Sequence, residues 1–202
     1  MANTPSIPEL IEDLTSTDRL VRNSAIWELR DCGQTAREAV PELLKLLGVE
    51  TDSHIRLGAA GAICRIDPNE AEALLPILMA GLHDNDFMNR DTACMFVGGI
   101  GPKAHAAIPT LLNLLDDETE TVRCSASEAV GRVSGNWSHA IEIGLTLIQN
   151  SDSLIRIVGA EHFEALGVEA KAALPRLREL LAAVEWELRL DVEEVVADIE
   201  AL

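Results

Sequence analysis

The sequence contains few aromatic residues, with three Phe, three Trp and no Tyr, or 3% of 202 residues. The strands of immunoglobulin-like sandwiches draw on aromatic and β-branched residues, so this scarcity argues against that class. No apolar run approaches the roughly 18 residues that a membrane span needs. The N-terminus has neither a basic segment nor an apolar stretch, so the sequence predicts no secretory signal and no contact with a membrane.

Basic residues are also scarce, at 16 Lys and Arg against 34 Asp and Glu, which gives a formal net charge of −18. A chain this acidic is repelled by phosphate backbones, so we expect no nucleic-acid partner. The cysteines are widely spaced and form no Cys-x-x-Cys pair, which predicts neither a disulfide framework nor a metal site. They are Cys32, Cys64, Cys94 and Cys124. We therefore expect a cytoplasmic protein, folded as a single domain over residues 1–202.

Two residue types recur with one period along the chain. Proline recurs every 33 to 35 residues, at Pro8, Pro41, Pro76, Pro109 and Pro175, with Glu142 in the remaining slot. Arginine recurs every 33 or 34 residues, at Arg22, Arg56, Arg90, Arg123, Arg156 and Arg189. An acidic residue precedes the arginine by four positions at Asp18, Asp52, Asp86, Asp152 and Glu185, and Thr119 is the exception. Such a period predicts a stack of about six repeats.

Each repeat has the pattern of two helices. Proline fits the first turn of the first helix, where its missing N–H has no helical acceptor to lose. The acidic residue before the arginine suits the N-cap of the second helix, because its carboxylate accepts from free backbone N–H groups. Gly33, Gly101 and Gly167 follow three of these second helices, where glycine terminates a helix at low cost. The sequence thus predicts an all-α fold.

The repeat reads Pro…Leu-Leu…Leu and then Asp-x-x-Val-Arg-x-x-Ala-x-x-Ala-Val-Gly, with its second half clearest over residues 119–131. The ankyrin and tetratricopeptide signatures are missing. The pattern resembles the HEAT repeat, in the short form found in bilin (phycobilisome) lyases, over about residues 7–202. The resemblance implies a right-handed α-solenoid whose second helices line a concave face, and a charged last repeat that serves as its cap. The repeats are expected at 7–38, 39–72, 73–106, 107–139, 140–172 and 173–202.

The periodic arginines have two possible roles, an anion-binding ladder or a structural one. We favour a structural ladder of Arg22, Arg56, Arg90, Arg123, Arg156 and Arg189. In it, each arginine pairs with an Asp or a main-chain carbonyl of its own or a neighbouring repeat.

Motifs of catalysis are missing. No His-Glu-x-x-His, P-loop, nucleophile elbow or strand-linked Gly-x-Gly-x-x-Gly occurs. The repeated His-Glu pairs of deoxyhypusine hydroxylase, an iron enzyme built from HEAT repeats, are absent too, since the chain has only Glu161-His162. Gly98-Gly99-Ile100-Gly101 falls at a helix end, where close packing explains it better than phosphate binding. We predict no enzymatic activity, no metal and no cofactor.

The concave face is where the resemblance places function. Residues five and nine positions after each periodic arginine turn away from the core. They pass from Trp, Gly and Met in the first repeats to a row of glutamates in the last. We predict a scaffold that binds another protein or peptide in this groove and is a monomer outside its complex. The predicted contacts are Trp27, Arg65, Met95, Glu128, Arg132 and Glu161, and the glutamates suggest a basic partner.

Two alternatives remain from the resemblance. One is a bilin-lyase-like subunit or chaperone, which needs a tetrapyrrole-sized pocket of which the repeat sequence gives no direct sign. The other is a DNA-handling protein resembling the HEAT-like alkylpurine glycosylases. Those proteins read the DNA backbone with basic concave residues, whereas the predicted face here is mixed to acidic.

Overall fold

A computed structural model of the chain describes residues 5–183 and 186–202. Glu185, one of the periodic acidic residues, lies outside them. Within the described residues the chain forms α-helices joined by turns and short 3-10 segments, and no β-strand. The helices are α1 Ile7–Asp13, α2 Arg19–Cys32, α3 Val40–Val49, α4 Ser53–Ile66, α5 Ala71–Gly81, α6 Phe87–Ile100, α7 Ile108–Leu114, α8 Glu120–Ser134, α9 Ser138–Leu147, α10 Ser153–Leu166, α11 Leu174–Ala183 and α12 Trp186–Ala201.

Consecutive helices pack in pairs, α1 with α2 through to α11 with α12, and each second helix also packs on the second helix of the next pair. This is the arrangement of an α-solenoid, in which the apolar stripe of one pair is buried by its neighbours. Helix α4 shows the result most clearly, since it is buried continuously from Leu57 to Ile63. The expectation of an all-α solenoid is therefore confirmed.

The second helices begin where the periodic acidic residues predicted. The carboxylates of Asp18, Asp52, Asp86 and Asp152 each accept from a backbone N–H in the first turn, at 2.8–3.1 Å. These bonds satisfy donors that the helix itself leaves free. Thr119, the one exception in the series, makes no side-chain cap bond.

The periodic prolines lie in the first helices, with one difference from expectation. Pro8, Pro41 and Pro109 occupy the first turn, as predicted. Pro76 instead lies inside α5, which begins at Ala71. Asp67 accepts from the backbone and side chain of Asn69, forming a turn that brings the chain into helix earlier than in the other repeats.

Four of the second helices end at a glycine with positive φ; Gly135 after α8 has the left-handed helical conformation, and the other three share a different one. Gly33, Gly101 and Gly167 have φ of 54°, 70° and 57° with ψ near −135°, an extended ψ rather than that of the left-handed helix. Residues that carry a side chain rarely adopt this backbone conformation, so glycine is strongly favoured at these three positions. Each of these three glycines opens a 3-10 segment that buries two alanines. The segments are Gly33–Ala39, Gly101–Ala107 and Gly167–Ala173.

The arginine series contacts the turns between paired helices. Five arginines each donate to one or two main-chain carbonyls of the turn before their own helix or, for Leu47, of the last turn of the preceding helix; they are Arg22, Arg56, Arg90, Arg123 and Arg156. Three of these arginines also form an ion pair with a carboxylate of the next repeat, close in sequence to the next periodic arginine. The pairs are Arg22 with Glu50, Arg90 with Asp117 and Arg156 with Asp191. Arg189 differs, since it is half-exposed and contacts only Glu193 of its own helix among the described residues.

The buried core forms two clusters. The larger one extends from Leu10 to Val133 and the smaller one from Ala140 to Ile199. The boundary between the two clusters lies after α8. This helix packs extensively on α6 and makes few contacts with α10. In the part of the chain that the structure describes, no helix has the length and apolar character needed to span a lipid bilayer.

Candidate functional site

An open cavity of about 900 Å³ lies on the face formed by the second helices. The C-terminal halves of α2, α4, α6 and α8 surround it, together with the segments that follow the first three. Its floor is mainly apolar and its rim carries basic side chains. We call it the cationic cavity, and its defining residues are Arg30, Gly61, Cys64, Arg65, Met95, Phe96, Gly99, Lys103 and Arg132.

The floor depends on an aromatic contact that crosses three repeats. Phe96 of α6 stacks on Trp27 of α2, with ring centroids 5.7 Å apart and planes at 23°. Helix α4 lies between them, and Gly61 is the residue over which the Phe96 ring passes. A Cβ at Gly61 would lie 2.4 Å from carbon atoms of that ring, closer than any van der Waals contact. The missing side chain of Gly61 therefore shapes the cavity floor.

Trp27 is held from three sides rather than left free. Its indole N–H donates to Oδ1 of Asn23 at 3.2 Å, and the Arg30 guanidinium lies 4.3 Å from its ring centroid. The stacked Phe96 ring completes the arrangement. Contacts of this kind, aromatic and cation–π, each stabilise by about 1 kcal/mol. Trp27 therefore does not line the cavity itself. It packs against Phe96 and so supports the cavity floor.

The rim is basic in a strongly acidic protein. Four cations and one carboxylate line the cavity, and that carboxylate, Asp31, is already bound to Arg30 at 2.6 Å. Arg132 lies 3.7 Å from Glu128, beyond hydrogen-bonding distance. Arg65 and Lys103 make no ion pair or hydrogen bond with any residue in 5–183 or 186–202. Among the described residues the cavity therefore presents two cations without an ionic partner, Arg65 and Lys103, and a third, Arg132, whose ion pair with Glu128 includes no hydrogen bond.

The thiol in the cavity is not poised as a nucleophile. Burial raises the pKa of Cys64 to about 12, against an ordinary value of 9.0. The thiolate, which is the nucleophilic form, is scarce at neutral pH. Among the described residues, no group of three or more His, Cys, Asp or Glu side chains is arranged so that it could hold a metal ion.

A smaller, acidic depression of about 300 Å³ lies at the other end of the second-helix face, between α10 and α12. Its floor includes Phe163 and Val195. Its charged residues are all carboxylates, and they are Glu161, Glu164, Glu194 and Asp198. The second-helix face thus has a basic and an acidic end.

Between the two ends, α8 and α10 meet through polar side chains. His162 is buried at 3% exposure; its Nε2 lies 2.9 Å from the Ala140 carbonyl oxygen and its Nδ1 3.4 Å from Oε1 of Glu128. Burial alone would lower the pKa of His162, but Cys124, Glu128 and the Ala140 carbonyl outweigh it and raise that pKa to about 9. Nε2 is hydrogen-bonded to the Ala140 carbonyl, whereas Nδ1 makes no hydrogen bond with a described residue and interacts with the Glu128 carboxylate through charge alone.

The structure distributes the six predicted contact residues over four places. Arg65, Met95 and Arg132 line the cationic cavity, and Met95 is 44% exposed. Trp27 lies beneath the cavity rim, and Glu128 lies between Arg132 and His162. The sixth, Glu161, belongs to the acidic depression.

Sequence reasoning missed Phe96, Arg30 and Lys103. The cavity curves around the helix ends into the 3-10 segments, so Lys103 lies outside any helix series counted from the arginines. Phe96 is 7% exposed and has the pattern of an ordinary core residue. The signal that was available is Gly61, a helical glycine in register with Trp27 and Met95.

Comparison with known proteins is consistent with this architecture. A family model described as HEAT repeats matches residues 7–86, and one described as HEAT repeat matches residues 107–136, together just over half of the chain. The chain belongs to the HEAT-repeat family. No curated protein matches it.

Solved structures of similar fold include two engineered proteins. One is 21% identical with a TM-score of 0.52 over 98% of both chains. The other is 20% identical with a TM-score of 0.53, over 98% of this chain and 100% of that one. The complex of CpcE and CpcF of phycocyanin lyase from Nostoc sp. PCC7120 is 20% identical over 98% of this chain and 96% of that one, with a TM-score of 0.49. At these identities, the two likenesses above 0.5 establish the fold alone.

Proposed function

We propose that the protein is a non-catalytic scaffold that binds a segment of a partner protein along its second-helix face. The observation that carries this proposal is the cationic cavity, which combines an apolar floor with unpaired polar groups at its rim. Binding sites typically have this composition, because apolar burial supplies affinity while a few polar groups fix orientation. A stacked helical scaffold also loses little conformational entropy on binding.

The floor offers an anchoring position for a partner side chain. Met95 and Phe96 present an adaptable thioether and an aromatic ring, and Gly99 leaves space above them. Methionine is common at surfaces that accommodate varied partners, because its side chain is flexible and polarizable. We therefore expect an apolar side chain of the partner to contact Met95 and Phe96.

The acidic depression suits a basic portion of the partner. Its four carboxylates carry no cation among them, and Phe163 and Ile199 supply apolar surface below. Opposite charge on the partner speeds association and selects orientation. The basic partner expected from the glutamate series is thus assigned to this end of the face, around Glu161.

The proposal is tested by filling the cavity without disturbing the helix. A Cβ at Gly99 meets no atom within 4 Å, and the same holds for Gly48 of α3, which lies away from the cavity. Gly99→Trp is expected to fill the cavity, whereas Gly48→Trp makes the matched change elsewhere. Tagged forms of both variants and of the wild type are used to capture proteins from a lysate of the source organism.

We expect a specific protein to be captured by the wild type and by Gly48→Trp and to be lost from Gly99→Trp. A folded Trp27→Ala, Met95→Ala double variant, checked by circular dichroism, should lose it as well. Equal capture by every form would contradict the proposal, and so would the absence of any specific protein.

A second candidate is a bilin-lyase-like subunit or chaperone. It is favoured by the size of the cavity, since about 900 Å³ lies within the range of small-molecule sites, about 300–1,000 Å³. The cations at the rim would suit the propionate groups of a tetrapyrrole. A visible absorbance band that develops with bilin in the wild type but not in Gly99→Trp would support this candidate, and flat titrations would remove it.

A further inference from the structure

We infer that the cationic cavity recognises a short acidic segment carrying an apolar anchor residue, so that the partner is acidic at this end of the second-helix face. The inference rests on the proposed function and specifies the chemistry of the partner. It differs from the basic partner that the glutamate series suggests, which concerns the opposite end.

The distribution of charge is the first argument. The cavity carries four of the 16 lysines and arginines in a chain of net charge −18. Within the part of the chain that the structure describes, Arg30 is the one cavity cation that a carboxylate holds by hydrogen bonds, through Asp31, and Arg132 lies 3.7 Å from Glu128. Arg65 and Lys103 line the same cavity with no ion pair among the described residues, Arg132 is only loosely paired with Glu128, and the repulsion between these like charges opposes folding. An anionic ligand would relieve that repulsion.

Helix stability alone does not account for these residues. Arg30, Arg65 and Arg132 lie in the last turns of α2, α4 and α8, where cations offset the partial negative charge of a helix end. Lys103, however, lies in a 3-10 segment beyond the end of α6. The last turns of α6 and α10 carry no basic residue. Helix-end electrostatics thus accounts for three of the four basic residues, whereas Lys103 shares only the cavity with them.

The same charges favour a short acidic peptide over a nucleic acid. A polyanion that entered the cavity would continue along a surface on which Asp31 and Glu128 lie close to the cations and Glu161 lies further along, in the acidic depression. Repulsion by these carboxylates limits the anionic stretch that the face accommodates. A few Asp or Glu side chains around an apolar residue match the cations Arg65, Lys103 and Arg132 as well as the floor of Met95 and Phe96.

The test measures binding of a dye-labelled peptide with a central phenylalanine flanked by glutamates, by fluorescence anisotropy. Sister peptides replace the glutamates by glutamine or by lysine, or the phenylalanine by alanine. Two double variants of the protein are compared. One carries Arg65→Glu together with Lys103→Glu, and the charge-matched control carries Lys45→Glu together with Lys171→Glu. Lys45 and Lys171 are exposed and lie outside the cavity, so both double variants change the net charge equally.

We expect the acidic peptide to bind the wild type, with an affinity that falls as salt rises and by about tenfold in the Arg65→Glu, Lys103→Glu variant. The control variant should lose less than about twofold, since screening limits distant charges. The glutamine and alanine peptides should bind more weakly. Melting temperatures of both double variants are compared to confirm that they fold, and single Arg65→Gln and Lys103→Gln variants provide milder changes.

Equal losses in the two double variants would overturn the inference, because net charge and not the cavity would then set the affinity. Tighter binding of a single-stranded oligonucleotide than of the acidic peptide would overturn it as well. If the acidic peptide does not bind but Gly99→Trp still loses the captured protein, the inference fails and the proposed function stands. If the acidic peptide does not bind and Gly99→Trp captures the same proteins as the wild type, both the inference and the proposed function are contradicted.

Discussion

The structure makes a graded prediction for the arginine series, and Arg90 is its sharpest case. The guanidinium of Arg90 holds Asp117 through two bonds, Nε to Oδ2 at 2.7 Å and Nη2 to Oδ1 at 2.9 Å. Its third nitrogen donates to the carbonyls of Asp84 and Asn85, both at 3.0 Å. One side chain therefore ties two successive inter-helix turns together. Arg90→Ala removes all four contacts.

The expected cost follows from burial. The side chains of Arg90 and Asp117 are 11% and 7% exposed, so the variant leaves a carboxylate with little access to water. Breaking a buried ion pair costs about 3–5 kcal/mol. Asp117 keeps one bond from the Thr119 N–H, which places the expected loss near the lower end, about 3 kcal/mol. For a chain of this size, that corresponds to a fall in Tm of about 10 °C.

The assay is thermal and urea denaturation of the wild type, Arg90→Ala and a control, Arg189→Ala. Arg189 holds the equivalent position in the last repeat, but its side chain is 51% exposed and lies 3.3 Å from Glu193 of its own helix. Exposed pairs of this kind contribute about 0.5 kcal/mol or less. Equal destabilisation by the two variants, or no effect of Arg90→Ala, would refute the argument from burial.

Three further predictions concern the packing around the site. Gly61→Ala should lower the free energy of unfolding in urea by about 1 kcal/mol, because displacing the Phe96 ring outweighs the gain in helix propensity; unchanged or increased stability would contradict this. Arg123→Ala should lower Tm by several degrees through loss of its bond to the Asp117 carbonyl, and an unchanged Tm counts against a structural role. The folded-state pKa of His162 is raised, so its stabilising contribution is complete below pH 6.5 and is lost as pH rises through about 9. The Tm difference between the wild type and His162→Gln should therefore shrink over that range, and a constant difference would refute the assignment.

The fold was predictable because its signals are local and repeated. An N-cap such as Asp86 is satisfied within one turn, at 3.0 Å from the Met88 nitrogen, so sequence neighbours alone specify it. Gly33 and its equivalents likewise depend only on the backbone where a helix ends. Six repetitions of such signals fix the register even where Thr119 or Pro76 departs from the pattern.

The site was predictable only in part, because it depends on contacts between repeats. The stacking of Phe96 on Trp27 crosses α4 and requires a glycine at Gly61, a combination that no count along one helix reveals. Lys103 reaches the cavity from a segment after α6, outside the helical series that located Arg65. The positive charge at the N-terminal end of the second-helix face was missed for the same reason, since it depends on residues of several repeats that meet at one cavity.

The most direct test of the central claim, that the cationic cavity is the binding surface, uses the methionine methyl groups as reporters. Met95 lines the cavity, whereas Met88 is 52% exposed and lies outside it. In ¹³C-methyl methionine NMR, titration with the acidic peptide should shift the Met95 resonance progressively and leave that of Met88 in place. A Met88 shift without a Met95 shift, or binding by anisotropy with neither signal moving, would contradict the account.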